Sequence, residues 1–447
     1  MDYPRESYVT KLSKRTGNGL IKVITGSRRS GKSYLMNKLF YTHLLDSGVD
    51  ESEILRFAFD SDDDIDLLDG YHTEEDTRIR QRGGGFVVNS RKFRAYVKDW
   101  ADGKNRLFFL LDEVQLLDGF IGTLNSLMRH DGYEIFVTGS NSRFLSSDIA
   151  TEFRGRGSVV HVLPLTFSEY MEGTDASPET AWRDYIETGG IPIVARMADR
   201  EERQTYLKDL CEQTYLKDVV ARNHIRNAAA LSDVLDISAS TVGSFVNPAR
   251  ISDTFGTVLG KSITDDTVSE YVGFLEDAFL LSKAKRYDVK GRRYIGSPYK
   301  LYFEDVGVRN ARLNFRQTEE THLMENIIYN ELRFRGFNVD VGIVYTSGKS
   351  GRTDANGKPI YATTATEVDF VATAGDRKYY IQSALSLDGP GKAEAKKNPL
   401  RRIDDSFTKV IITRNGLHAY ADDDGVLIMD LFDFLLNRES LPRFQKA

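Results

Sequence analysis

The stretch Gly26-Ser27-Arg28-Arg29-Ser30-Gly31-Lys32-Ser33 constrains this chain more than any other feature. It fits G-x-x-x-x-G-K-[ST], follows the apolar run 20–24 and precedes a segment with helical spacing of apolar residues. Such a unit is a phosphate-binding loop, in which backbone N–H groups and a helix N-terminus face phosphates. We therefore expect Lys32 to reach the β- and γ-phosphates of ATP and Ser33 to offer its hydroxyl to Mg²⁺. The two arginines of the loop either add charge there or are exposed positions without a specific role.

A second signal is the apolar run 106–111, which ends in Asp112 and Glu113. A run of this length predicts a strand buried on both faces of a parallel sheet, and ligands bind at the carboxyl ends of such strands. Asp112 is then placed to hold the Mg²⁺ shell, and Glu113 to orient or deprotonate the attacking water. The alternative is a pair of surface acids that cap the next helix. Adjacent acids after such a strand favour NTP hydrolysis over phosphoryl transfer to a small molecule.

A further strand is predicted over 133–141, and its polar end makes Asn141 the candidate sensor of the γ-phosphate. Asn is also common where a strand merely ends. Downstream, Arg154 and Arg156 stand where ring-forming ATPases place an arginine finger for the neighbouring subunit's nucleotide. Arg143 competes for that role, and each arginine has the alternative of being a solvated cation.

The order of these motifs, followed by F-R-G-R (153–156) and P-L-T-F-S-E-Y (164–170), resembles prokaryotic AAA-type ATPases that carry a C-terminal domain of unknown function with a nuclease-like core. The resemblance covers the whole chain. It implies an α/β fold, ATP and Mg²⁺ as cofactors, and assembly into a ring, with 189–192 as the lid motif. It predicts an AAA-type ATPase core (1–165), a helical lid and linker (166–225), a winged-helix-like domain (226–315) and a degenerate PD-(D/E)xK nuclease-like domain (316–447).

The loop motif and the resemblance together give the predicted site residues. Those that bind the nucleotide are Gly26, Ser27, Arg28, Arg29, Ser30, Gly31, Lys32 and Ser33. Those that serve catalysis are Lys32, Glu113, Asn141, Arg154 and Arg156, while Ser33 and Asp112 bind the metal.

Length, cysteine count and net charge further limit the class of protein that this chain can be. A chain of 447 residues predicts two or three domains, and its single cysteine, Cys211, excludes a disulfide framework. No apolar run approaches the roughly 20 residues that cross a bilayer, so we expect no membrane contact and a cytoplasmic protein. The net charge of −6 means that any nucleic-acid contact must be local. The acidic run 60–66 lacks the pattern of a calcium loop and is interpreted as a solvated loop.

The middle third contains a candidate winged helix. A helix is predicted over 263–275, followed by a strand and the basic turn 290–294. The helix is acidic, which opposes insertion into a groove lined by phosphates, so only the turn, with Arg292 and Arg293, supports contact with the DNA backbone. Such binding would be independent of sequence and sensitive to salt. A protein-docking or structural role is the alternative.

The last third resembles a PD-(D/E)xK nuclease core, with Glu325, Asp369 and Gln382 at the active-site positions. Such a site needs two carboxylates for Mg²⁺ and a lysine. Here Gln382 replaces the metal-binding Glu and Ala384 replaces the Lys, so we expect an inactive nuclease fold. The densest basic stretch follows, and it is either a solvated helix face or a DNA-tracking surface. Its candidate DNA contacts are Lys396, Lys397, Arg401 and Arg402.

Taken together, the sequence predicts a hexameric, Mg²⁺-dependent ATPase that acts on DNA, as in branch migration, recombination or repair. A nucleotide-dependent switch that acts on a protein partner in signalling or defence is the alternative. An active metal-dependent nuclease is the third possibility, and it requires a rearranged metal cage.

Overall fold

The computed structural model describes residues 3–81, 84–139, 155, 157–316, 319–353, 359–414, 416 and 418–441. The chain divides into two compact units. The first comprises Met1–Pro164 with Asp277–Phe279, and the second comprises Leu165–Glu276 with Leu280–Ala447.

The first unit is built on a parallel sheet whose strand order is β2-β5-β6-β1-β7. Its strands are β1 Ile21–Thr25, β2 Ile54–Ala58, β5 Leu107–Asp112, β6 Tyr133–Thr138 and β7 Gly157–His161; β3 Arg78–Arg80 and β4 Phe86–Val88 form a separate antiparallel hairpin. Every residue of β1 and β5 is buried, as the apolar runs predicted for a sheet covered on both faces. Because β6 lies between β1 and β5, its carboxyl end separates those of the phosphate-loop strand and the acidic strand.

Helices cover both faces of this sheet in the usual manner of α/β folds. They are Glu6–Ser13, Lys32–Tyr34 continuing as the π-helical segment Leu35–Phe40 and the helix Tyr41–Asp46, then Asp62–Asp66, Ser90–Trp100 and Phe120–Leu127, with 3₁₀ turns at Glu51–Glu53 and Val114–Leu116. The hydroxyl of Ser61 caps Asp62–Asp66, so most of the acidic run predicted as a loop is helical. The sequence favours a helix here because Ser at the N-cap and Asp in the first turn both stabilise the start of a helix.

The second unit contains a nine-stranded mixed sheet, ordered β15-β16-β14-β13-β12-β11-β9-β10-β8. Its strands are β8 Phe245–Val246, β9 Leu281–Asp288, β10 Arg293–Phe303, β11 Asn338–Thr353, β12 Pro359–Ala374, β13 Arg377–Ala384, β14 Thr408–Thr413, β15 Tyr420–Ala421 and β16 Leu427–Asp430. The basic turn is the tip of the β9–β10 hairpin, and β9 pairs in parallel with β11. Residues from both sides of the predicted domain boundary at 315 therefore share one sheet.

The helices of the second unit are Phe167–Met171, Pro178–Thr188, Pro192–Arg196, Arg200–Asp209 continuing as the π-helical segment Leu210–Leu216 and the helix Lys217–Asn223, then Ala228–Ser240, Pro248–Thr257, Asp265–Asp277, Val306–Arg312, Glu320–Phe334, Lys392–Arg401 and Leu431–Leu436. A capping box begins the first of them, because Thr166 and Glu169 each accept a hydrogen bond from the other's backbone N–H. In the part of the chain described, no helix is long and apolar enough to cross a membrane.

The buried carboxylate of Asp305 holds the glycine pair of the predicted lid motif. It accepts hydrogen bonds from the N–H groups of Gly190 (2.7 Å) and Val308 (3.0 Å). Gly189 has φ +72°, and a Cβ on it would lie 2.2 Å from Asp305 Oδ1, so only glycine fits. Burial raises the pKa of Asp305 to about 6, although its backbone hydrogen bonds oppose the rise.

The raised pKa of Asp305 makes the free energy of unfolding depend on pH. Because its pKa is raised on folding, Asp305 stabilises the unit fully below its unfolded pKa near 4, and this contribution disappears as the pH rises through about 6. Relative to Asp305→Asn, which does not titrate, the free energy of unfolding of the unaltered chain should fall by about 2 kcal/mol between pH 4 and 7. Urea unfolding followed by Trp182 fluorescence, with Trp100→Phe in both chains, measures it. A difference that stays constant with pH would contradict the assignment.

Candidate nucleotide-binding site

The loop 26–33 has the backbone geometry that its glycines predicted. Gly26 has φ +143°, and a Cβ there would lie 2.2 Å from the carbonyl oxygen of Val162, so any side chain would collide with backbone. Gly31 adopts φ +93° as the residue immediately before the helix that begins at Lys32. Arg28 and Arg29 are exposed, whereas Ser27 and Ser30 are buried. The loop therefore curls around the N-terminus of a helix, which is the arrangement that binds anions.

Lys32 lies inside this loop rather than pointing into solvent. Its side chain is 5% exposed, and its ammonium group donates to the carbonyl oxygens of Gly26 (3.0 Å) and Ser27 (2.8 Å). An ammonium group has three donors and a compact charge, so it is suited to neutralise phosphate oxygens held by the loop.

Asp112 is brought to the same place by the end of β5. Its carboxylate accepts hydrogen bonds from Ser33 Oγ (3.2 Å), Asn37 Nδ2 (2.9 Å) and the hydroxyl of Thr138. Burial raises the pKa of Asp112, the hydroxyls of Thr138 and Ser33 lower it, and the charge of Glu113 adds to the rise. Adjacent hydroxyl and carboxylate oxygens are the donors that Mg²⁺ prefers, so Ser33 and Asp112 fit the predicted metal position.

Glu113 follows in an unusual backbone conformation. Its φ of +50° is left-handed, which costs free energy for a residue with a side chain and is concentrated at functional sites. Its N–H donates to Thr138 Oγ1 (3.1 Å), and its carboxylate accepts from Gln115. Burial and the charge of Glu113 raise the pKa of Asp60, which follows β2. Asp60 therefore lies in the electrostatic field of the same sheet edge, although its sequence pattern did not indicate a role.

Arg5 is a buried positioning residue that no sequence pattern indicated. Its guanidinium donates to the carbonyl oxygens of Ser30 (2.8 Å) and Leu163 (2.7 Å), and only 2% of the residue is exposed. It therefore ties the phosphate loop to the segment after β7. Asn37 and Thr138 were missed as well. Asn37 carries the one signal that could have revealed it, since it lies four residues after Ser33 on one helix face.

Replacing Arg5 with Lys should weaken ATP binding about tenfold, because a lysine cannot bridge both carbonyls as the planar guanidinium does. Calorimetric titration with ATP and Mg²⁺ measures the change. Arg15→Lys is the matched control, since Arg15 donates to Ser158 Oγ (3.0 Å) and the carbonyl of Lys11 (2.8 Å), outside the loop. Equal affinities in the two variants would contradict the positioning role.

Four predicted residues lie outside the part of the chain that the structure describes. They are Asn141, Arg143, Arg154 and Arg156. The sensor and the arginine finger therefore stay predictions.

The predicted nuclease positions lie close together in the second unit, but the side chains that contact them differ from those expected. Glu325 contacts Lys300, and Asp369 and Gln382 both contact Lys396. Ala384 is buried in the apolar core beside β14. The expectation that the cluster lacks a cation is therefore wrong: two lysines, from β10 and from the helix Lys392–Arg401, supply it.

Most of the predicted DNA contacts are engaged with carboxylates. Lys397 pairs with Asp422 (2.7 Å), Arg401 with both Glu394 (2.5 Å) and Asp424 (2.6 Å), and Lys396 with Asp369. Arg402 lies 3.4 Å from Thr346 Oγ1. At the hairpin tip, Arg292 is exposed and Arg293 lies 3.5 Å from Asp288.

Comparison with known proteins defines the class of the first unit. Residues 18–171 match a family described as an AAA domain, and residues 179–319 match a domain of unknown function, DUF8612. With the loop, Asp112 and Glu113 in place, residues 18–171 form a P-loop ATPase domain of the AAA type.

Two relatives match nearly the whole chain. An uncharacterized protein of Haemophilus influenzae is 28% identical over 97% of this chain and 98% of its own length. An uncharacterized protein of Methanocaldococcus jannaschii is 24% identical over 93% and 87%. Among solved structures, ORC2 of Aeropyrum pernix covers 62% of this chain and 86% of its own (14% identity, TM-score 0.32), and ORC1 of that organism in complex with DNA covers 69% and 91% (14%, 0.27).

Proposed function

We propose that this chain is an oligomeric, Mg²⁺-dependent ATPase that binds DNA and uses ATP hydrolysis to remodel it or move along it. The observation that carries the ATPase part is the meeting of Lys32, Asp112 and Glu113 at one edge of a parallel sheet. Branch migration, recombination and repair are examples of processes that use such a machine.

Each residue has a distinct part in the proposed hydrolysis. Lys32 neutralises the β- and γ-phosphates, and Ser33 and Asp112 hold Mg²⁺, which when bound offsets the charge of the transferred phosphoryl group. The Glu113 carboxylate accepts a proton from the attacking water. We further propose that Arg154 or Arg156 of a neighbouring subunit completes the site in a hexameric ring.

The proposal of DNA binding rests on the exposed basic tip of the β9–β10 hairpin, in the part predicted as a winged helix. Arg292 is exposed there beside Arg293, whose guanidinium lies 3.5 Å from the carboxylate of Asp288. Cations at a hairpin tip reach phosphates without reading bases, so the binding should be independent of sequence.

The test uses fluorescence anisotropy of labelled single-stranded, duplex and four-way-junction DNA, with Glu113→Gln and ATP holding the chain before hydrolysis. We expect the logarithm of the association constant to fall linearly with the logarithm of the salt concentration. Removing both Arg292 and Arg293 should reduce that slope by about 2. Lys217→Ala, which removes another exposed cation of the second unit, is the control.

One observation favours a second candidate, a nucleotide-dependent switch that acts on a protein. The helix Asp265–Asp277 is acidic, and Lys396, Lys397 and Arg401 are already paired with carboxylates. Such a surface is better suited to a protein partner than to a phosphate backbone. Absence of binding to all three DNA forms at low salt would reject the DNA proposal and leave the switch.

A further inference from the structure

A group of charged side chains in the second unit, buried at its centre and partly exposed at its edges, plays no part in the nucleotide site. Its centre is Lys300 of β10, whose side chain is 2% exposed. The ammonium group lies 2.9 Å from Glu325 Oε1 and also forms an ion pair with Glu367. The hydroxyl of Tyr302 donates to the same Glu325 oxygen at 2.7 Å.

The ammonium group of Lys396 contacts the other two members of the cluster. Lys396 Nζ lies 2.9 Å from Asp369 Oδ2 and 3.4 Å from Gln382 Oε1. The N–H of Ser383 donates to the same Asp369 oxygen at 2.7 Å. The amide of Gln382 donates to the carbonyl oxygen of Glu367 at 2.9 Å, which fixes its orientation.

These residues do not fit a divalent cation. A Mg²⁺ or Mn²⁺ ion needs several oxygen ligands that no other cation already occupies. Two carboxylates among those ligands neutralise at least part of the charge of the ion. Here Glu325 and Glu367 are bound to one fixed cation and Asp369 to another, so an added metal ion would meet two ammonium groups. Within the described ranges, no group of three or more His, Cys, Asp or Glu side chains could hold a metal ion.

We propose that the ammonium group of Lys300 permanently takes the place of a divalent cation in this carboxylate cluster. A lysine held by β10 neutralises Glu325 and Glu367 as a metal would, and it ties β10, β12 and the helix Glu320–Phe334 together. It cannot activate water or polarise a phosphoryl oxygen as a metal ion does. The cluster is therefore structural and does not cleave phosphodiesters with metal, whether or not the first unit hydrolyses ATP.

The experiment removes the built-in cation and asks whether a metal replaces it. Nucleotide-free, full-length chains with Asp112→Asn, which disables the metal position of the first unit, are titrated with Mn²⁺ and bound metal is measured by electron paramagnetic resonance. We expect Lys300→Met to bind one Mn²⁺ per chain at about 1 mM or below, and the double variant Lys300→Met/Glu367→Gln, which removes one of the two carboxylates that Lys300 pairs with, to lose it. Lys283→Met is the matched control, because Lys283 pairs with Glu276 at 2.8 Å outside the cluster.

Two results would overturn the proposal. One is Mn²⁺ bound by the chain with Lys300 intact and lost on Glu367→Gln, since the cluster would then already be a metal site. The other is a folded Lys300→Met chain that binds no Mn²⁺. If Lys300→Met unfolds because its buried carboxylates are unpaired, Mn²⁺ should restore the native circular dichroism spectrum, and failure to do so also rejects the proposal.

Discussion

Replacing Glu113 with Gln is expected to slow ATP hydrolysis by about 10²- to 10⁴-fold, because an amide cannot accept the proton of the attacking water. ATP affinity should stay within about twofold, since the substitution keeps the size of the side chain and Glu113 is not among the phosphate-binding residues. Steady-state phosphate release gives the rate, and calorimetric titration gives the affinity.

Lys32→Ala is the contrasting variant. It removes the buried ammonium group from the loop, so both affinity and rate should fall. Gln115→Ala, which removes the hydrogen bond to the Glu113 carboxylate, tests whether that carboxylate needs a fixed orientation, and it should have the smaller effect. A Glu113→Gln chain that hydrolyses ATP at the original rate would show that another group is the base.

The second large effect concerns stability. Lys22 of β1 and Glu134 of β6 form an ion pair inside the parallel sheet of the first unit, and Lys22 is 1% exposed. Glu134 also accepts a hydrogen bond from the N–H of Gly17 (2.9 Å). Glu134→Ala leaves a buried ammonium group without its carboxylate, so we expect a loss of about 3–5 kcal/mol in the free energy of unfolding. Urea unfolding followed by Trp100 fluorescence, with Trp182→Phe in every chain compared, measures it.

Two control variants show whether the loss of stability comes from leaving one buried charge unpaired. Lys22→Met combined with Glu134→Gln removes both charges and keeps an acceptor for Gly17, so it should cost less than Glu134→Ala alone. Arg91→Ala breaks an exposed pair with Glu75 and should cost at most about 1 kcal/mol. A cost for Glu134→Ala no larger than that of Arg91→Ala would contradict the burial of the pair.

The nucleotide site was largely predictable because its chemistry lies in contiguous motifs. The loop 26–33 and the pair Asp112–Glu113 each combine a strand pattern with the functional side chains, and the structure brings them together. Arg5 could not be found in this way, since it acts on carbonyl oxygens 25 and 158 residues away and belongs to no periodic pattern. The position of β6 between β1 and β5 is likewise a property of topology.

In the second unit the sequence pattern named positions that lie close together in the fold, but it did not indicate the cations that pair with them. The nuclease pattern places its lysine at position 384, which is an alanine in this chain. Lys300 and Lys396 reach the cluster from another strand and a helix, and no spacing rule relates them to it. The shared sheet across residue 315 was also hidden, because parallel pairing of β9 with β11 leaves no local mark in the sequence.

We propose that ATP hydrolysis at the first unit is coupled to DNA, and the rate of ATP hydrolysis by the full chain with and without each DNA form tests this coupling. We predict several-fold stimulation by at least one of single-stranded, duplex or four-way-junction DNA, and no stimulated hydrolysis in Lys32→Ala or Glu113→Gln. Hydrolysis that depends on Lys32 and Glu113 but is unchanged by all three DNA forms at low salt would contradict the coupling and leave an ATPase directed at another partner.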